Sequence, residues 1–165
     1  KVDLPLLIKS VIDVLEPQAH DRNMVINFSQ ILSYNIIGDP DQLTQVFQNL
    51  IENAIKYGRE NTEIMVTCTE NIALASPESG MEPAINSREA TITITNEGTG
   101  IPSQHLPRLM ERFYRVDSAR SRSLGGTGLG LAIVKHIIQR HRGRIFFESE
   151  INATTTVTLS LPSHI

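Results

Sequence analysis

The chain has 165 residues, which is enough for one domain with its own core and short for two. Apolar residues make up 40% and charged residues 20% of it, and the net charge is -3, so the totals fit a globular domain and show no global footprint for nucleic-acid binding. No apolar run approaches the length of a membrane span, the single Cys68 cannot form an internal disulfide, and the start at Lys1 leads us to expect a piece of a longer protein.

The first elements are a helix and a strand. Residues 2–19 carry apolar side chains at helical spacing, and Pro17 predicts where the helix ends. The stretch "NMVINF" (residues 23–28) then predicts a strand.

A second helix has a strong start signal. Asp39 stands at the N-cap, Pro40 at the first helical position and Gln42 three residues after the cap. We expect this helix to run to Tyr57, with Gly58 as its terminator. Its predicted apolar face consists of Leu43, Val46, Phe47, Leu50 and Ala54.

The second half of the chain is rich in strands. "TEIMVTCTE" (62–70) and "EATITITN" (89–96) predict two strands of one sheet, joined by a surface excursion, "NIALASPESGMEP" (71–83). A helix to about His141 and the strands "GRIFFESE" (143–150) and "TTTVTLSLP" (154–162) follow. This order predicts one α+β domain over residues 1–165, a two-layer sandwich with helices on one face of a mixed, mostly antiparallel sheet.

The stretch "GGTGLGLAIVKH" (125–136) places four glycines within six residues, directly before the last helix. The stretch is not a GxxxG packing motif of a transmembrane helix, because the apolar part that follows is short and contains Lys135 and His136. Two interpretations of these glycines remain: they allow close packing of backbone on backbone, or they form a loop whose free N–H groups at a helix N-terminus surround a phosphate.

The helix that follows is expected to be largely buried, with a narrow polar stripe. Its predicted core face is Leu129, Ala132, Ile133 and Ile137, widened by Leu131, Val134 and Ile138, and its polar stripe is Lys135, Gln139 and Arg142.

A polar stripe marks the second helix. Asn49, Asn53 and Lys56 are spaced i, i+4 and i+7, with Tyr57 beside them. A solvated face is the ordinary explanation, but asparagine is a poor helix-interior residue, which weakens it. Amide oxygens suit Mg²⁺ and a lysine suits phosphates, so the stripe is a candidate binding surface.

A second glycine pair precedes a basic segment. In "TNEGTGIP" (95–102), Asn96 closes a strand and Gly98 and Gly100 follow, which a plain turn would also explain. Residues 103–124 then hold five arginines against two acidic residues, and Arg108, Arg112 and Arg115 fall on one helical face. This segment is either a solvated charge run or a lid over a polyphosphate, spanning residues 103–127.

Taken together and in this order, these stretches resemble the ATP-binding catalytic domain of bacterial sensor histidine kinases, which has the GHKL-type (Bergerat) fold. "NLIENAIKY" (49–57) is similar to the N box, "NEGTGIP" (96–102) to the first glycine box, "ERFYRVD" (111–117) to the F box and "GGTGLGLAIVKH" to the second glycine box. The match covers nearly the whole chain, and it includes a resemblance to the phosphate-regulon sensor kinase subgroup.

The resemblance implies that ATP and Mg²⁺ bind among these motifs. It makes Asn53 the Mg²⁺ ligand with Asn49 beside it, Lys56 and Arg115 the catalytic groups at the phosphates, and Tyr57 a neighbour of the adenine. Phe113 would anchor the lid. The other implied nucleotide contacts are Asn96, Gly98, Gly100, Ile101, Gly126, Thr127, Gly128, Leu129, Gly130 and Thr155.

The chain departs from the family pattern at two places in its site. Asn96 stands where the family has an aspartate that accepts a hydrogen bond from the adenine amine. A neutral bond is weaker than a charged one, so we expect roughly tenfold weaker binding, while Asn can still read adenine by accepting and donating at once. Asn152, Ala153 and Thr154 replace a glycine turn, with Thr155 keeping the family's hydroxyl near the adenine.

The largest departure is the missing phosphoacceptor. None of the five histidines lies in the H-[ED]-x-[RK]-[TN]-P context in which these kinases are phosphorylated, so we expect this chain to bind ATP without phosphorylating itself. The implied partners are the dimerisation/phosphoacceptor domain of the same kinase, just before residues 1–19, and a response regulator. The full protein is then a homodimer with this domain on the cytoplasmic side of an inner-membrane sensor, without nucleic acid and without direct membrane contact by this part.

Two alternatives remain open. Asn96 is the one feature in favour of a degenerate nucleotide-binding docking module, a pseudokinase. A self-contained ATPase is disfavoured by Asn49, because related ATPases have a glutamate there that activates water and an amide cannot act as a general base. Glu52, three residues further on, does not simply replace it.

Overall fold

The computed structural model describes residues 1–31, 35–72, 88–116 and 126–163. Residues 73–83 of the predicted surface excursion and residues 117–125 of the predicted lid lie outside these ranges. Within the described ranges, no helix combines the length and the hydropathy that crossing a bilayer requires.

The described residues form seven strands, three α-helices and a 3₁₀ helix. In chain order these are β1 (Val2–Asp3), α1 (Leu4–Asp21), β2 (Val25–Gln30), β3 (Asn35–Ile36), α2 (Pro40–Tyr57), β4 (Glu63–Ile72), β5 (Arg88–Glu97), the 3₁₀ helix (Ser103–Arg108), α3 (Gly130–Arg140), β6 (Arg144–Ser149) and β7 (Thr154–Ser163).

Five strands form one mixed sheet in the order β2-β4-β5-β7-β6. The pair β2–β4 is parallel and the other pairs are antiparallel. Alternate residues in the central strands are buried, and the registers Val66↔Ile94 and Ile94↔Val157 place them on the same face. These side chains share one core with buried residues from all three α-helices. The predicted α+β sandwich, with its mostly antiparallel sheet, is therefore confirmed.

Helix α1 does not end at Pro17, which corrects the prediction. It runs on to Asp21, and its start is capped by Asp3, whose Oδ1 accepts from the Leu6 N–H at 3.0 Å. A proline inside a helix removes one N–H and leaves the carbonyl four residues earlier without a partner. That carbonyl belongs to Asp13, and both Asp13 and Pro17 are exposed, so water can take the place of the lost donor.

Helix α2 begins as predicted. The Asp39 carboxylate accepts from the backbone N–H groups of Asp41 at 3.0 Å and Gln42 at 3.2 Å, and the Gln42 side chain returns a bond to it at 3.1 Å. The predicted apolar face is buried in full, together with Ile51 and Ile55. Burying one face this completely leaves the other face of α2 free to carry polar residues.

The glycine after α2 serves a different purpose from the one predicted. Gly58 follows Tyr57 as expected, but its φ of -68° is not the left-handed value of a usual glycine cap. A Cβ at this position would lie 2.5 Å from the Ala54 carbonyl oxygen and 2.5 Å from Met24 Cε. Space, rather than backbone conformation, therefore requires glycine here.

Helix α3 buries a narrower stripe than predicted. Val134, Ile137 and Ile138 are buried and Leu131 is partly buried, whereas Ile133 is 37% exposed. The helix packs against α2 and β6, so only the side facing these elements enters the core. The predicted polar stripe of Lys135, Gln139 and Arg142 is exposed.

Cys68 is a packing residue. It is fully buried in β4. Burial, with a smaller contribution from the Asp3 carboxylate, raises the pKa of the Cys68 thiol to about 11, so the thiol stays protonated at neutral pH.

The His141 ring ties the start of α2 to the end of α3. Its Nε2 accepts from the Asp39 N–H at 3.0 Å, and its Nδ1 lies 2.8 Å from the Ile137 carbonyl oxygen. Since a carbonyl only accepts, Nδ1 carries the proton and the ring is the neutral tautomer. A Cβ on Gly38 would lie 2.9 Å from the ring, so glycine is needed to admit it.

We expect His141→Ala to lower the free energy of unfolding by about 1–2 kcal/mol, because it removes the two hydrogen bonds of the ring, with the Asp39 N–H and with the Ile137 carbonyl. His136→Ala is the matched control, since His136 is exposed on the same helix. Urea unfolding at neutral pH measures both. Equal, small losses would show that the ring does not hold the two helices together.

Candidate functional site

A cavity of about 510 Å³ lies among α2, β5, β7, the segment after the 3₁₀ helix and the glycines before α3. Its volume falls in the range of roughly 300–1,000 Å³ typical of small-molecule sites. All but two of the predicted site residues line it: Asn49, Asn53, Lys56, Tyr57, Asn96, Gly98, Gly100, Ile101, Arg115, Gly126, Thr127, Gly128, Gly130 and Thr155. The exceptions are Phe113 and Leu129.

The polar stripe of α2 faces this cavity. Asn49, Asn53 and Lys56 are half-buried, which argues against a plain solvated face. Neither asparagine amide makes a hydrogen bond to another described residue, so both keep their donors and acceptors for a ligand. Asn49 Oδ1 lies 3.4 Å from the place a Cβ on Gly130 would take, which puts this amide against the start of α3.

The candidate metal donors of the site are side-chain amides. In the described ranges no three His, Cys, Asp or Glu side chains gather as a metal cluster. The candidate donors are the amide oxygens of Asn49 and Asn53, which are hard ligands. Mg²⁺ usually keeps several waters and takes its remaining ligands from substrate phosphates, so this donor set fits Mg²⁺ carried by a polyphosphate.

Asn96 is the buried polar group of the cavity. The residue is 8% exposed, and its Nδ2 donates to the Glu97 carbonyl oxygen at 3.3 Å. That bond leaves Oδ1 as the free acceptor. Ile94, Phe147 and Val157 supply apolar surface to the same cavity, so an aromatic ring with an amine would find both packing and an acceptor there.

The first glycine loop is shaped by protein contacts. The Gly98 N–H donates to the Ala153 carbonyl at 3.0 Å, and a Cβ on Gly98 would lie 2.8 Å from the backbone carbonyl oxygen of Tyr57. Gly100 has φ +73°, and a Cβ there would lie 2.4 Å from the Glu150 carbonyl oxygen. Close backbone packing therefore explains these two glycines, although both also border the cavity.

The turn that lacks glycine still closes. Asn152 adopts φ +58°, a left-handed conformation that asparagine tolerates better than most residues. Its N–H donates to the Thr99 carbonyl at 2.9 Å. Thr155, shortly after this turn, pairs with Asn96 across the strands and hydrogen-bonds through its hydroxyl to Ser149 at 2.7 Å.

The described part of the predicted lid is not one continuous helix, so its arginines do not share a helical face. The 3₁₀ helix ends at Arg108 and contains Pro107, which cannot donate in a helix. Arg108 bonds Glu111 at 3.2 Å and lies 4.3 Å above the Tyr114 ring. The hydrogen bond that Arg108 donates to the Glu111 carboxylate raises the pKa of the Arg108 guanidinium. Arg115 is half-buried and lines the cavity.

The Phe113 ring does not anchor this segment in the structure. It is 70% exposed, and the positive φ of +63° turns the chain so that Tyr114 takes the inner position. The Phe113 backbone makes the contact instead, since its N–H donates to the Gly128 carbonyl at 2.9 Å. A Cβ on Gly128 would lie 2.9 Å from Phe113 Cα, so Gly128 also serves backbone packing. Leu129 lies just before α3 and outside the cavity lining.

Several lining residues were not predicted. Leu50, Glu52, Ala54, Ile94, Thr99, Leu109, Tyr114, Val116, Leu131, Phe147 and Val157 also border the cavity. Strand alternation in "GRIFFESE" could have identified Phe147, because it points inward while Phe146 is 49% exposed. Glu52 is notable as a carboxylate in the site, with Gln48 donating to it at 3.1 Å.

We expect Gly100→Ala to lower the free energy of unfolding by about 2–4 kcal/mol, because it combines a left-handed φ with a clash against a backbone carbonyl. Gly130→Ala is the matched control, since its Cβ would meet only the Asn49 amide at 3.4 Å, and alanine favours the helix by about 1 kcal/mol. Chemical denaturation of both variants is the measurement. A Gly100→Ala variant as stable as the parent would contradict the packing role of this loop.

The chain is similar in sequence to known kinases and matches one family model. The family model for "Histidine kinase-, DNA gyrase B-, and HSP90-like ATPase" matches residues 38–165. Sensor protein kinase WalK of Staphylococcus epidermidis is 38% identical over 164 residues, covering 99% of this chain and 25% of WalK. A WalK of Staphylococcus aureus is 35% identical over 164 residues, covering 99% of this chain and 36% of that protein. The chain thus spans only part of these relatives.

Solved structures share the fold. The nucleotide-free catalytic domain of histidine kinase ThkA superposes with a TM-score of 0.77 at 24% identity, over 98% of this chain and 93% of that one. The mycobacterial sensor histidine kinase MprB gives 0.73 at 26% identity, over 98% and 95%. Full-length ShkA in complex with AMPPNP gives a TM-score of 0.76 at 22% identity, over 99% of this chain and 31% of ShkA. The chain belongs to the histidine kinase-, DNA gyrase B- and HSP90-like ATPase family, as an ATP-binding domain of the sensor histidine kinase type.

Proposed function

We propose that this chain binds Mg-ATP and presents the γ-phosphate to a histidine on a separate dimerisation/phosphoacceptor domain. The observation that carries the proposal is one cavity that brings together Asn49 and Asn53 amides, the cations Lys56 and Arg115, and the buried Asn96. Amides and cations suit a metal-bound polyphosphate, and an acceptor beside apolar surface suits an adenine.

Each residue has a distinct role in this proposal. Lys56 and Arg115 neutralise and orient the phosphates, which is most of what an enzyme contributes to phosphoryl transfer. Asn49 and Asn53 would hold Mg²⁺, whose chemistry is to offset the negative charge of the phosphate oxygens. Asn96 accepts from the adenine amine. Transfer to another protein is favoured over hydrolysis, because Asn49 cannot act as a general base toward water.

The proposal for the whole protein follows from the relatives, which are longer. The partners would be the dimerisation/phosphoacceptor domain of the same kinase and a response regulator, in a homodimeric inner-membrane sensor kinase with this domain in the cytoplasm. Assignment to the phosphate-regulon subgroup is also a proposal, supported by "GDPDQLTQVFQNLIENAIKYG" and "ERFYRVDSARSR".

We expect calorimetric titration to show Mg-ATP binding, tightened about tenfold by Asn96→Asp, because a charged acceptor makes a stronger hydrogen bond than an amide. Binding should weaken when Mg²⁺ is omitted. Asn71→Asp is the matched control, since it makes the same charge change on an exposed strand residue outside the cavity.

The other outcomes of the titration separate the alternatives. If the parent chain does not bind Mg-ATP and Asn96→Asp restores binding, the pseudokinase hypothesis is correct. Binding that is absent from both would contradict the proposed function.

The ATPase alternative has one structural observation in its favour, the Glu52 carboxylate in the cavity. With γ-labelled ATP, we expect the chain alone to release phosphate no faster than Glu52→Gln does, and to label a separately supplied phosphoacceptor domain. Phosphate release that Glu52→Gln abolishes would assign hydrolysis to this chain.

A further inference from the structure

The end of α2 is capped by a side chain from another element. Arg22 directly follows α1, and its guanidinium donates to three backbone carbonyls at the end of α2. Nη1 bonds the carbonyls of Ile55 and of Lys56, the latter at 2.9 Å, and Nη2 bonds the carbonyl of Gly58 at 3.1 Å.

These carbonyls need an outside donor. The last four carbonyls of a helix have no partner within it, and a left-handed glycine usually helps to cap them. Gly58 is extended instead, and its own N–H is bonded to Ala54 at 2.9 Å. The guanidinium supplies the missing donors, and its positive charge complements the negative end of the helix dipole.

Arg22 is itself held in place. Its side chain is 28% exposed, and its Nε lies 3.7 Å from the Glu60 carboxylate. Its backbone carbonyl accepts from the Asn61 N–H at 3.4 Å. A fixed planar fork with several donors can serve three carbonyls at once, which a lysine ammonium on a flexible stem does less well.

The turn held by Arg22 is the one that carries Lys56 and Tyr57 into the cavity. Arg22 itself does not line that cavity; it borders a neighbouring groove with Gln18, Glu52 and Lys56. We propose that Arg22 is a positioning residue of the nucleotide site, acting through the last turn of α2 to keep Lys56 aimed at the phosphates. This inference rests on the proposed function.

The closing experiment is a double-mutant cycle on Mg-ATP affinity with Arg22→Ala and Lys56→Ala. We expect Arg22→Ala to weaken binding about tenfold, the equivalent of one charged hydrogen bond. In the double variant the loss should be clearly smaller than the product of the two single losses, because Arg22 acts through Lys56. Fully multiplicative losses would overturn the inference.

Two controls separate positioning from general stability. Val11→Ala shortens a buried side chain earlier in α1, and Arg140→Ala removes an exposed positive charge from α3. Both should bind Mg-ATP within about twofold of the parent when measured below their unfolding transitions. Arg22→Lys keeps the charge without the fork and should lie between the parent and Arg22→Ala.

Amide hydrogen exchange measures the stability of the last turn of α2 in the absence of nucleotide. In Arg22→Ala the amides of residues 55–58 should exchange faster than in the parent, and in Val11→Ala they should not. Unchanged exchange in Arg22→Ala would overturn the inference.

The binding measurements separate the failure of this inference from the failure of the proposed function. If the parent binds Mg-ATP and Lys56→Ala weakens that binding while Arg22→Ala does not, the positioning role of Arg22 is wrong and the proposed function still holds. A parent that does not bind Mg-ATP overturns the proposed function first.

Discussion

Helix α2 can offer a polar stripe to a ligand because its two ends and its apolar face are all held by other parts of the chain. His141 accepts from the Asp39 N–H at its start, and Arg22 bonds the carbonyls at its end. Between them one face is buried in the core. The ends of a helix are where it frays most easily, so the bonds from Arg22, just after α1, and from His141, just after α3, restrain the helix that carries Asn49, Asn53 and Lys56.

The glycines of the site are required for close backbone packing, whether or not a ligand is bound. Gly58 and Gly98 form a bridge between the end of α2 and the first glycine loop, and Gly100 admits the backbone beyond β6. Gly128 admits the backbone of Phe113. Phosphate binding and backbone packing, which the sequence left as alternatives, are therefore not exclusive. Loops that pack this closely line a cavity with backbone, and backbone N–H groups are what phosphates bind.

Local signals predicted most of the fold, because they depend on neighbours along the chain. The Asp39 cap, the alternation of β4 and β5 and the spacing of Asn49, Asn53 and Lys56 all fall in this class. The bond of Arg22 to Gly58 and that of His141 to Asp39 join residues distant in sequence, so no periodicity reveals them. Phe113 was predicted as the anchor of the lid, but its ring is exposed, because its positive φ reverses which aromatic of the pair points inward.

Asn96 shows how the pocket and its ligand place different demands on one side chain. Its Nδ2 donates to the neighbouring Glu97 carbonyl, a contact that a carboxylate would replace with two facing acceptors. At 8% exposure an ionised group would also lose most of its hydration. The amide thus suits the contacts that the protein itself makes here, whereas a carboxylate would make the stronger bond to an amine. An aspartate at this position would gain affinity at the expense of the unliganded fold, so asparagine here is compatible with a working site and is not by itself a mark of degeneration.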